Sequence, residues 1–153
     1  MAGNFDQMLS RFSLSVSSPN WTERRAARQA EAQNWRCCYC GVRMFAGHPA
    51  EDIYLYCSSM GMWPVYKGEP DMWVFMQLSN LKVSLEHVKD SFMRSGGHGQ
   101  ECLAACCLCN SWRGGKANGR GWRMQPSPAV WWRVMQRKIA AGTHPHCPYL
   151  AHA

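Results

Sequence analysis

Two short stretches decide how this chain folds: Cys37-Cys38-Tyr39-Cys40-Gly41 and Cys106-Cys107-Leu108-Cys109-Asn110. Each holds a C-x-x-C pair, a spacing that lets both thiolates of one tight turn reach the same ion. Gly41 suits the first turn, because glycine tolerates a positive φ. Two such pairs complete a tetrahedral site of the structural Zn²⁺ type. Cys38 and Cys107 compete for the role, but the spacing favours Cys37, Cys40, Cys106 and Cys109. The chain has nine cysteines, a high and odd count that fits a complete disulfide framework poorly. Cys57 and Cys102 read as small buried hydrophobes. The tail His144-Pro145-His146-Cys147 has metal-binding residue types, but reads as a solvated tail. Iron in a four-cysteine site, as in an electron carrier, would leave the charge of the chain without a purpose.

That charge is unevenly placed. Seventeen Lys and Arg against ten Asp and Glu give +7 over 153 residues, a length for one domain with a sizeable core. Residues 1–90 hold nine basic and nine acidic side chains, so the whole excess lies in 91–153, where Glu101 is the single acid. A basic half beside a neutral half points to a polyanionic partner, most simply nucleic acid. A basic surface that only aids solubility is the competing reading. The apolar runs Trp73–Leu78 and Cys102–Cys109 are too short to span a membrane. The N-terminal stretch has no apolar core of a secretory signal, so an intracellular, non-secreted protein is expected.

Outward from the cysteines, residues 1–21 read as a flexible leader. Thr22 is placed to cap a helix running through Trp35 toward Cys37. Residues 41–70, punctuated by Gly and Pro, read as an irregular insertion. Asp71–Leu78 and Leu81–Val88 are strand candidates with Ser79-Asn80 as the turn, and Cys102–Ala105 is a short apolar strand. A helix starting near Asn110 should be cut short by Gly114 and Gly115. The last helix runs from Pro128 to about Ala141, with Ser127 as cap and Gly142 after its end. Its expected buried stripe is Val130, Trp131, Val134, Met135 and Ile139.

Between the cysteine pairs lies Val83-Ser84-Leu85-Glu86-His87-Val88, then a loop with Gly96 and Gly97, then Leu103-Ala104-Ala105. In this combination the chain resembles the HNH nuclease family. Its members join a C-x-x-C-G knuckle, a strand ending in Asp/Glu-His, a Gly-containing loop and an apolar strand. They close with C-x-x-C followed by His or Asn and basic residues. The 19 residues from His87 to Cys106 suit that pattern, which covers a quarter to a third of the chain. The resemblance implies an α+β fold built on a small zinc-stabilised ββα-metal core with flanking helices. Residues 22–126 would form that domain, and the basic helix and tail of 127–153 would pack on it.

The implied activity is metal-dependent hydrolysis of DNA phosphodiester bonds, with RNA also open. His87 would be the general base, because an imidazole with a pKa of ~6.5 can take a proton from water near neutral pH. Glu86 and Asn110 would hold a catalytic Mg²⁺ or Mn²⁺ through oxygen ligands. Where many members have Asn, this chain has Glu101, an acceptor that cannot donate when ionised but could ligate the metal. The Pro usual after the first motif is replaced by Lys89-Asp90. Arg113, Lys116, Arg120 and Arg123 follow on a Gly-rich stretch suited to phosphate contact, and Arg133, Arg137 and Lys138 add to them on the last helix. Trp112 and Trp122 would stack on bases or pack in the core. The alternative to an enzyme is a zinc-stabilised nucleic-acid-binding module that has lost catalysis and works within a larger assembly.

Overall fold

The strand that ends in Glu86-His87 is half of an antiparallel pair. In the computed structural model, which describes residues 2–15, 18–87, 102–114 and 126–151, β3 (Val83–His87) pairs with β4 (Cys102–Cys106). Val83 lies opposite Cys106, and His87 opposite Cys102. Cys106 then caps the helix α5 (Cys107–Arg113), its sulfur accepting from the Cys109 N–H, so strand, strand and helix follow one another. Gly114 ends α5, as the sequence led us to expect.

Helix α2 (Trp21–Ala32) lies across both strands. It starts two residues earlier than the Thr22 cap would allow. Asn20 is the cap, and it exchanges reciprocal bonds with Glu23. Ala26 and Ala30 face inward and are buried, because only small side chains let a helix axis approach a sheet this closely. Gln33 fastens the helix end to β4. Its carbonyl accepts from the Ala104 N–H at 2.8 Å, and its amide donates to the Ala104 oxygen at 3.0 Å. The side chain thus stands in for a neighbouring strand at that edge.

Three expectations are overturned. Residues 2–11, read as part of a leader, form helix α1 (Ala2–Arg11). Phe5, Leu9 and Leu14 are buried, and Phe5 stacks on Tyr54 at 5.3 Å. The spacing Phe5, Met8, Leu9, Phe12 is that of an apolar helix face, which its short polar surroundings obscured. Asp71–Leu78, read as a strand, belongs to helix α4 (Met72–Leu81). Asp71 is its cap, accepting from the Trp73 and Val74 N–H groups, and Val74, Phe75, Leu78 and Leu81 form its buried face. The insertion is regular: α3 (Ala50–Met60) ends on Gly61 at φ +66°, and a hairpin of β1 (Val65–Tyr66) and β2 (Glu69–Pro70) follows.

The last helix, α6 (Pro128–Ala140), has the expected Ser127 cap. Trp131 and Met135 are buried and Val134 and Ile139 half-buried, but Val130 is exposed, so the stripe is narrower than expected. Trp132, beside Trp131, faces solvent. The architecture is α+β: helices around two small two-stranded sheets. Among the described residues no helix is long and apolar enough to cross a membrane.

Candidate metal centre and adjoining strand

The first knuckle is a tight loop, with Arg36 bridged to Arg43 and the Gly41 N–H donating to the Cys37 carbonyl at 2.9 Å. Gly41 sits at φ +76°, the conformation for which glycine was singled out. The Cys38 N–H donates to the Ala104 oxygen at 3.1 Å, which hangs the loop on β4. Its cysteines therefore meet those that follow β4. The sulfurs of Cys37, Cys40, Cys106 and Cys109 all lie within 4.8 Å of one another, and all four residues are buried. Cys38 and Cys107 are half-buried and stand outside this group, as the spacing indicated.

The donor set fits a metal ion. A tetrahedron with metal–sulfur bonds of about 2.3 Å has sulfur–sulfur edges of about 3.8 Å, and Cys40 and Cys106 approach to 3.9 Å. Backbone N–H groups already address two of the sulfurs: Tyr39 donates to Cys37 at 3.4 Å and Cys109 to Cys106 at 3.5 Å. Such donors stabilise thiolate rather than thiol. Burial opposes ionisation of Cys37, but the thiols of Cys106, Cys109, Cys38 and Cys40 around it outweigh burial and hold its pKa well below the ordinary thiol value. Burial, reinforced by the Cys109 and Cys37 contacts, pushes Cys106 well above it.

Helix α6 clasps both knuckles. The Trp131 indole N–H donates to the Cys109 oxygen at 2.9 Å, and the Gln136 amide to the Tyr39 oxygen at 2.8 Å. The tail beyond it is not solvated, contrary to expectation. His144 and His146 are buried against the cysteines, with His144 Nε2 3.4 Å from the Cys109 sulfur. The H-P-H spacing was visible in sequence; that the chain turns back after Gly142 was not.

On the other side of α5 lie the residues expected to carry chemistry. Ser84 and Glu86 share one face of β3, and α5 packs on it. The Asn110 amide donates to the Ser84 hydroxyl at 2.9 Å and the Leu85 oxygen at 3.1 Å. Arg113, expected at a phosphate, is instead buried, its Nη1 donating to Glu86 Oε1 at 2.6 Å and its Nε to the Pro126 oxygen at 2.9 Å. Glu86, expected to face a divalent cation, thus has a guanidinium as its neighbour. The same carboxylate, after burial, helps raise the Tyr39 phenol above its ordinary pKa. Ser84, Cys107, Asn110, Ser111 and Gly114 line an open hollow of about 380 Å³. The backbone of His87 closes β3 next to Glu86. Glu101, Lys116, Arg120, Arg123 and Trp122 lie outside the described residues. Arg133 and Arg137 are exposed on α6, while Lys138 lies over the Trp112 ring at 5.7 Å.

No family model matches this chain, nor does any curated protein or solved structure.

Proposed function

We propose that the four cysteines hold a structural zinc ion, and that the strand–strand–helix unit they anchor is an HNH-type nuclease core acting on DNA. Zinc suits four buried sulfurs at this spacing and needs no redox partner. What most supports the nuclease reading is the placement of Glu86-His87 at the end of a strand whose adjacent face carries Asn110 from the helix after the second cysteine pair. In this reading His87 takes the proton from the attacking water, and Glu86 and Asn110 supply oxygens to a divalent cation. That cation, Mg²⁺ or Mn²⁺, would neutralise charge on the phosphate. The basic residues of 113–138 would hold the DNA backbone, Arg113 only after leaving Glu86.

A second reading has its own observation. The buried Glu86–Arg113 pair places a cation where a divalent ion would have to sit. A core locked in this way is a zinc-stabilised nucleic-acid-binding module without catalysis. Plasmid cleavage by the purified protein in Mg²⁺, Mn²⁺ or EDTA separates the two. Metal-dependent nicking that is lost in His87→Ala supports the nuclease. Salt-sensitive DNA binding with zinc retained and no nicking supports the module.

A further inference from the structure

The donors around the cysteine cluster outnumber the four positions of one tetrahedral ion. His146 Nδ1 lies 3.8 Å from the Cys40 sulfur and 3.7 Å from the Cys106 sulfur, and those two sulfurs are 3.9 Å apart. A tetrahedral zinc with sulfur ligands and one imidazole has sulfur–sulfur edges of about 3.8 Å and nitrogen–sulfur edges of about 3.6 Å, from bonds of about 2.3 and 2.05 Å. Cys40, Cys106 and His146 therefore outline one face of such a site. We infer that the imidazole of His146 is itself a ligand of the metal, taking the place of one of the two remaining thiolates, Cys37 or Cys109.

His144 does something different. Its Nδ1 accepts the backbone N–H of His146 at 3.0 Å, which places the proton of the neutral ring on Nε2. That N–H points at the Cys109 sulfur 3.4 Å away, so His144 is a hydrogen-bond donor to the cluster and not a ligand. The same bond holds the backbone of His146 in place. Charge favours the exchange at His146. Four thiolates around a dication carry a net −2, whereas three thiolates and an imidazole carry −1, the displaced cysteine remaining a neutral thiol. The cluster is closed to solvent, with Cys106, Cys109 and His146 each at 0% exposure, and there every unbalanced charge is costly. The consequence is a three-point clasp. One ion joins the 37–40 loop, the start of α5 and the C-terminal tail.

This inference rests on reading the cysteine cluster as a zinc centre, and X-ray absorption at the zinc edge of the purified chain tests the two separately. Three sulfur scatterers and one nitrogen are expected. Four sulfurs with no nitrogen would overturn the role of His146 while leaving the zinc centre standing. Absence of zinc from the folded chain would overturn both. The Co²⁺-substituted protein gives a second readout. In His146→Ala the displaced cysteine returns to the metal, so the d–d bands should move to lower energy and thiolate charge-transfer absorption should rise by about a third, as three sulfurs become four. A spectrum unchanged by that substitution overturns the proposal.

Discussion

Glu86 and Arg113 are each 2% exposed and joined at 2.6 Å, which makes them a costly pair to break. Removing one member of a buried ion pair leaves the other charge uncompensated, at a cost of about 3–5 kcal/mol. Arg113→Met is therefore expected to destabilise the fold by that amount in urea unfolding. Adding Glu86→Gln in the same chain should recover much of the loss, since no buried charge then remains. Equal and additive losses would show that the pair is not the source. His146 supplies a second residue-level expectation. Burial, then the neighbouring His144, lowers its pKa to about 4 from the unperturbed 6.5. Between those values the unfolded chain binds a proton that the folded chain refuses, so stability rises with pH across that window. In the metal-free protein, acidification from pH 7 to 4 should cost on the order of 3 kcal/mol from this group. Measured with a chelator present, His146→Gln should flatten that limb of the stability–pH curve.

At the scale of elements, the hairpin is held by what leans on it. Ala26 and Ala30 allow α2 to approach β3 and β4, and both are at most 2% exposed. Ala30→Leu would force the helix outward at a cost of about 1–3 kcal/mol, and would also stretch the Gln33 bonds to β4. A lowered midpoint in thermal unfolding is the expected result. Helix α4 offers a milder case. Asp71→Ala removes the acceptor for two N–H groups and should cost about 1 kcal/mol. That helix also shows why a sequence pattern can mislead. Trp73–Leu78 is nearly all apolar, with β-preferring residues, so periodicity alone could not separate helix from strand. The decision came from the Asp71 cap and from burial of Val74, Phe75, Leu78 and Leu81, with Phe75 packed against Phe5 and Phe12 of the N-terminal segment.

Over the whole molecule, the cysteine cluster joins segments far apart in sequence, and α6 covers them. If the cluster holds zinc as proposed, a strong chelator at neutral pH should lower the melting temperature by more than about ten degrees, since binding energy at a structural zinc is folding energy. An unchanged melting curve would show that the apolar core alone suffices. The excess of basic residues lies entirely after position 90 of the sequence. If it is used on nucleic acid, the logarithm of affinity should fall linearly with the logarithm of salt, with a slope near the number of phosphates met. A fluorescence-anisotropy titration over a fourfold salt range measures that slope.

Local chemistry made several features legible from the residues alone. The C-x-x-C spacing chose four of nine cysteines, Ser127-Pro128 marked the start of α6, and Gly114 the end of α5. Each is a matter of a few neighbouring residues, where backbone geometry leaves little choice. The tertiary structure alone decided the partners. No spacing shows that Arg113 turns inward to Glu86, that Phe5 reaches Tyr54, or that the tail returns to lay His144 and His146 on the sulfurs. Those contacts join residues brought together only by collapse of the core, and a one-dimensional pattern carries no record of which buried faces will meet.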